Sequence, residues 1–428
     1  MAEKSKRKQT VGRKNLTMSS QPRGYIKGWT ICGGLFFTGI VLQLYSGKIV
    51  PDLLHYPVNL IFGALLLVMI LLFYLISKKI KRIQWFTGFP AGITALASLL
   101  LLVIIMGLTR QLPSSQDLSH ESGFVRLGFM QMTVSWPFIL LMLYLLWILG
   151  LIILKRLGRF QWKDAGFIFN HAGLFLALFG AIWGSCDLQR LRITAHLNTP
   201  EWCATNEKNE MIELPLAIEL KSFNIDEYPP KLMLLDNITG EALPKKRPQT
   251  VSVDTFPLTA ELLNWKLEIT RYLPSAAALV NRDTVNFVEY NMEGATSALY
   301  VKAHNETDNT WKEGWISCGN HMFPHAYLRL NDKVSLIMPG REPKRFASNV
   351  MVYTQSGYSK EGLIEVNKPL SIDGWKIYQL SYDEVLGKWS EYSVFELVKD
   401  PWLPVVYCGI VMMLGGAVFL FISAPKKM

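Results

Sequence analysis

Six apolar blocks, each long enough to cross a hydrocarbon core as a helix, punctuate the chain at roughly 28–46, 57–77, 88–108, 136–154, 164–184 and 402–423. Between the fifth and sixth the pattern changes to short segments of period-two alternation. These are IELPLAIEL (212–220), WKLEITRY (265–272), SALYVKAH (297–304), YLRL (327–330), VMVYT (350–354), WKIYQLSY (375–382) and YSVFELV (392–398). Turn signals such as PPK, NITGE, MPGREP and DGW separate them. Alternation with β-branched and aromatic residues predicts half-buried antiparallel strands in a β-sandwich or barrel-like body of about 200 residues. The expected fold class is an integral membrane protein with about six transmembrane α-helices and a large extracytoplasmic mainly-β domain inserted before the last helix. The expected parts are a basic cytoplasmic tail (1–27), a membrane domain of about five helices (28–184), the β-rich domain (185–400), a final helix (401–424) and a short cytoplasmic tail (425–428).

Charge sets the expected orientation. The tail carries Lys4, Lys6, Arg7, Lys8, Arg13, Lys14, Arg23 and Lys27 against Glu3, and reads as disordered. KKIKR (78–82) follows the second block, and Lys155, Arg156, Arg159 and Lys163 follow the fourth. Every second connection is therefore cation-rich, which predicts both termini inside and the β domain outside. A spanning-length first block with no small-residue cleavage site does not read as a cleavable signal. Trp29, Trp85, Trp136, Trp162, Trp183 and Trp402 fall near block ends, where an apolar ring with one polar N–H belongs. The net charge of +10 is thus a topology signal and gives no reason to expect nucleic acid, and 50% hydrophobic residues exclude one ordinary soluble domain. Cys32, Cys186, Cys203, Cys318 and Cys408 show no CxxC or zinc spacing. Cys186, Cys203 and Cys318 lie in polar sequence, where an oxidising compartment allows a disulfide whose pairing stays open.

The candidate chemistry sits in the fifth block, DAGFIFNHAGLFLALFGAIWG (164–184), which holds Asn170 and His171 within apolar sequence. On a helical wheel Phe167, Leu174, Phe175, Leu178 and Ile182 gather around His171. Gly173, Ala177, Gly180, Ala181 and Gly184 lie opposite, a small-residue side that admits another helix. An imidazole among bulky rings suits the axial position on the iron of a flat apolar cofactor such as haem. The alternative is a histidine hydrogen-bonded within the membrane with no cofactor. Asp164 is expected to cap this helix. His196 follows the block closely enough to be a further ligand candidate, whereas His55, His120, His304, His321 and His325 read as ordinary histidines, Pro324 breaking the HMFPH spacing. There is no phosphate loop, GxSxG, HExxH or carboxylate pair inside a block.

IEVNKPLSIDGWKIYQLSYD (364–383) followed by YSVFELVKDPWLPVVYCGIVMMLGG (392–416) resembles the end of the ResB family, also called CcsB or Ccs1, of cytochrome c biogenesis proteins. NHAGLFLALFGAIWG (170–184) resembles that family's histidine-glycine span, and LPLAIELKSFNIDEYPP (214–230) its first outer strands. The resemblance covers about 250 residues from Asn170 on. It implies a subunit of the system II assembly machinery in a bacterial cytoplasmic (inner) membrane, with its large domain periplasmic. Such a subunit helps carry haem b outward and presents it to apocytochrome c together with a CcsA-type partner. His171 would be an axial ligand to the haem iron, with Phe167 and Phe175 beside it and His196 as an outer candidate. The chain lacks a tryptophan-rich WGxxWxWD-like run, so the resemblance gives it no catalytic residue of its own and makes it one subunit of a haem lyase complex. The family commonly has about three spans before its outer domain, and this chain has about five. Cys186 is the nearest counterpart to a reactive cysteine associated with some members. The competing reading is a membrane-anchored scaffold that docks apocytochrome or a redox complex without binding haem. A transporter of another apolar molecule would require an internal repeat, and none is evident.

Overall fold

The computed structural model describes residues 22–80, 82–116, 123, 125–281 and 284–423. The basic tail up to residue 21, Lys81, His120 and the terminal Lys426 and Lys427 lie outside the described residues. The chain divides into two compact units, one formed by the helices and the other by residues 189–399.

Among the described residues the helical unit holds six helices long and apolar enough to cross a membrane, so the chain is a multi-pass membrane protein. They are α1 (Pro22–Ser46), α2 (Val58–Lys79), α3 (Phe89–Leu108), α4 (Trp136–Leu157), α5 (Ala165–Asp187) and α6 (Leu403–Ser423). The first starts before the expected boundary at Gly28, taking Arg23 and Lys27 into helix. The packing of α2 is inverted relative to a water-soluble protein. On α2 the buried residues are Asn59, Gly63, Ile70 and Ser77, while Leu65 and Leu72 face outward and are 52% and 53% exposed. Small and polar residues inside with leucines outside is the arrangement lipid favours, because apolar surface loses nothing there and close backbone approach gains dispersion contacts.

That logic is clearest where α5 meets α6. A Cβ on Gly173 would lie 2.5 Å from the carbonyl oxygen of Gly409 and 2.7 Å from the amide nitrogen of Met413, both backbone atoms. Only hydrogen fits there. The seam continues at Gly166 and Gly416, and Asn170 Nδ2 donates to the Met413 carbonyl at 3.3 Å. Ala181, expected on this side, is exposed instead. The far end of α5 is pinned by Asp187, whose carboxylate accepts from Tyr56 N (2.9 Å), Asn59 Nδ2 (2.6 Å) and Trp402 Nε1 (2.7 Å). One side chain thereby ties the starts of α2 and α6 to the end of α5.

The second unit is all β, in chain order β1 (Gln189–His196), β2 (Pro200–Thr205), β3 (Met211–Glu227), β4 (Lys231–Asp236), β5 (Ala242–Leu243), β6 (Thr250–Ser252), β7 (Leu258–Leu262), β8 (Trp265–Asn281), β9 (Thr284–Glu289), β10 (Thr296–Asn305), β11 (Thr310–Ser317), β12 (Leu328–Arg329), β13 (Val334–Ile337), β14 (Pro343–Thr354), β15 (Ser359–Glu365), β16 (Leu370–Ile372), β17 (Trp375–Tyr382) and β18 (Tyr392–Lys399). Eight strands form one antiparallel sheet in the order β15-β14-β3-β2-β1-β18-β17-β16. Alternate residues of these strands meet in a single core that includes Ile193, Ile218, Val352, Ile377 and Phe395. The edges approach one another, with Lys360 Nζ of β15 donating to the Ser371 carbonyl of β16 at 3.0 Å. The sheet therefore curls around its own core. The first and last strands pair at its centre, Gln189 opposite Lys399, so the chain enters and leaves the domain side by side. The remaining strands form two five-stranded sheets, β11-β10-β8-β7 with β9 on β8, and β12-β13-β4-β5 with β6 on β4. They share a second core of Leu234, Leu267, Val301, Ile316 and Leu336. The expected alternatives, barrel-like body and sandwich, thus occur side by side in one domain. YLRL contributes less strand than its alternation predicts, with only Leu328 and Arg329 paired.

Candidate functional site

His171 lies in the second turn of α5, about 9 Å along the axis from Ala165 at 1.5 Å per residue. It is half-buried. Its Nδ1 is 2.9 Å from the carbonyl oxygen of Phe167, one turn back on the same helix. A carbonyl oxygen only accepts, so Nδ1 carries the proton and Nε2 keeps its lone pair. This is the arrangement by which a histidine that ligates a metal through Nε2 has its ring orientation and tautomer fixed by the other nitrogen. The Phe167 ring lies against the imidazole with centroids 3.7 Å apart and planes 23° from parallel. The i, i+4 spacing of the two rings produces the stack, since residues four apart sit one above the other on a helix.

α4 reaches this stack through Arg156. The Arg156 guanidinium sits 4.9 Å from the Phe167 ring centroid, on a face where a cation is attracted by the π-system. Its Nη1 donates to Asp164 Oδ1 at 3.0 Å. Asp164 does occupy the position before the first turn of α5, but its side chain makes no capping hydrogen bond. The expected cap is an inter-helix ion pair instead, because a guanidinium offers a stronger, charge-assisted partner than an amide at the helix start.

Phe175, expected beside His171, lies one turn further along α5. Its ring packs nearly parallel to Phe179 at 5.9 Å, and Phe179 in turn lies 4.5 Å from Trp183. Phe167, His171, Phe175, Phe179, Trp183 and Asp187 form an i+4 series in the sequence. Each such step turns the helix a further 40°, so the row winds around α5 rather than following one face. Phe175 lines an open apolar groove of about 300 Å³ together with Leu67, Ile70, Gly150, Ala172 and Met412. Nothing polar is presented there, which suits lipid or a flat apolar molecule and no ion.

The other nominated histidine belongs to the β unit. His196 closes β1, is exposed, and its Nδ1 stands 3.3 Å from Glu201 Oε1 with the Tyr392 ring alongside. Of the remaining histidines, His304 Nε2 is 2.8 Å from Asn309 Oδ1 and stacks on Trp311, and His55 Nδ1 is 3.8 Å from Asp187 Oδ1. Among the described residues no three His, Cys, Asp or Glu side chains converge on a metal-sized site. All five cysteines are free thiols. The site therefore consists of one imidazole with its ring stack. Arg156 and Asp164 join it through an ion pair that local pattern did not mark, Asp164 having been expected only as a cap, although their place at the two ends of the short α4–α5 connection made contact geometrically available.

Compared with known families, residues 158–390 match the model of the ResB-like family. The match begins immediately after α4 and ends just before β18, so it takes in α5, with His171, and nearly all of the β domain. The earlier helices and α6 lie beyond it. No curated protein matches the chain. With more than half of its residues covered, this chain belongs to the ResB-like family, which places it broadly in cytochrome c biogenesis.

Proposed function

We propose that this chain is the ResB half of a system II haem-delivery assembly, taking haem b through a bacterial cytoplasmic membrane. With a CcsA-type partner it would present the haem to apocytochrome c. In this reading both termini are cytoplasmic and the β domain (185–400) is extracytoplasmic, an orientation supported by the cation-rich alternate connections. The haem is cargo, and His171 is its axial ligand on the way.

The observation that carries the reading is the hydrogen bond from His171 Nδ1 to the Phe167 carbonyl, which leaves Nε2 as the electron-pair donor. A histidine already satisfied on one side by its own helix needs no neighbouring helix to justify its burial. Haem supplies an iron with open axial positions and a porphyrin plane whose faces are apolar. The chain supplies an imidazole in fixed orientation, an aromatic neighbour in Phe167 and apolar surface along α5. Among its described residues the β domain contributes no comparable ligand set, and a role in holding apocytochrome c fits its exposed strands and size.

Full-length chain purified with its partner is expected to carry a Soret band that His171→Ala weakens severalfold, with monodispersity unchanged. A folded His171→Ala protein with undiminished haem content contradicts the ligand assignment. His196→Ala serves as the comparison for the outer candidate and is expected to retain the Soret band.

A further inference from the structure

We propose that Arg156 binds a propionate carboxylate of the haem held at His171, so that the porphyrin sits with its acidic edge toward the α4–α5 connection. The inference rests on the reading of His171 as iron ligand and adds to it the orientation of the cargo and the feature by which it is recognised.

Arg156 stands in the last turn of α4 and reaches over the Phe167 ring, which stacks on the imidazole. Both groups contact the same ring, so the cation lies within the compass of a porphyrin whose carboxylates project from one edge. A guanidinium carries five N–H donors in a planar fork matched to a carboxylate. The structure gives Nη1 to Asp164 and leaves further donors on the same group. Arg156 is about half exposed, 46% for its side chain, so a ligand can approach it.

The surroundings favour an anion. Lys155, Arg156, Arg159 and Lys163 are set against Asp164 in this connection. Lys155 is already committed, its Nζ donating to the Thr87 carbonyl at 3.1 Å and to Thr87 Oγ1 at 3.0 Å. Arg159 and Lys163 are exposed, and Arg156 is the cation of this connection that lies over His171's stacking partner. A purely structural role, stapling the connection through Asp164, would not require the guanidinium to lie over Phe167.

The test compares binding of haem with that of its dimethyl ester, which keeps the iron and ring but has no carboxylates, by Soret titration of the full chain in detergent. Wild type is expected to prefer haem by about tenfold to a hundredfold, the size of one charge-assisted hydrogen bond. Arg156→Gln should lose that preference while keeping the spectrum of imidazole-ligated iron, and Arg156→Lys should keep part of it. Asp164→Asn should bind haem at least as tightly as wild type, since a competitor for the fork is gone. Equal wild-type affinity for the two compounds overturns the proposal and needs no variant to do so. An equal loss of both ligands in a folded Arg156→Gln protein overturns it as well, in favour of the staple. If His171→Ala leaves the titrations of both compounds unchanged, it is the His171 reading itself that fails.

Discussion

The proton on His171 Nδ1 is placed by a backbone carbonyl, so no side-chain substitution at Phe167 removes it; what Phe167 contributes is the stacked ring and the platform for Arg156. A side chain in the β domain is tuned in a different way. Glu219 is 7% exposed and accepts from Lys221 Nζ and Tyr353 Oη, each at 2.6 Å. Lys221 first, then the tyrosine, holds its carboxyl below the ordinary glutamate value. A carboxylate with a lowered folded pKa adds stability above its unfolded pKa and loses it as pH falls through the folded value. Acid should therefore destabilise the domain below the ordinary glutamate range. In Glu219→Gln the denaturant midpoint at pH 7 should fall and its decline between neutral and acid pH should flatten, as followed by near-ultraviolet circular dichroism. An unchanged slope refutes the assignment. At this scale the sequence revealed His171 and Phe167, because i, i+4 neighbours on a helix are fixed by geometry. It did not reveal Arg156–Asp164 or the Asp187 network, because those contacts join different helices and depend on how the helices pack.

The α5–α6 seam makes its demand at the level of the element. Leucine in place of Gly173 would drive a side chain into the Gly409 carbonyl and the Met413 amide, backbone atoms that cannot rotate away. The two helices would have to part, at a cost of roughly 1–3 kcal/mol or more for overpacking. Gly173→Leu should lower the melting temperature in detergent by several degrees, and a cysteine pair across the seam should cross-link less well than in wild type. The same substitution at Gly33, where nothing lies within 4 Å, should be silent. The six helices were legible as elements because length and apolarity alone specify a span, and the ends moved by only a few residues. Strands with clean alternation, such as β17 and β18, were equally legible. QRLRITAH and KLMLLD, which form β1 and β4, are not among the predicted strands: the first alternates at Leu191, Ile193 and Ala195 but runs straight on from α5, and the second is a continuous apolar run without alternation. The pairing of β1 with β18, some two hundred residues later, lies beyond any local pattern.

For the whole molecule, the family match and the candidate site divide the chain in an informative way. Residues 158–390 carry α5 and most of the β domain, yet His171's surroundings also draw on α4, which lies outside that match. α4, which precedes residue 158, is therefore part of the site's environment and not a detached addition. Family membership and the helix count were legible because ordered motifs and hydropathy are sequence properties. The orientation of the imidazole was not, because a tautomer depends on which nitrogen meets which oxygen. That imidazole is the centre of the account, and chemical rescue tests it most directly. Full-length His171→Gly, purified with its partner, should lack the Soret band and regain it at the wild-type position when free imidazole is added. A His171→Gly protein that keeps full haem without imidazole, or a folded one whose missing Soret band imidazole fails to restore, contradicts His171 as the iron ligand.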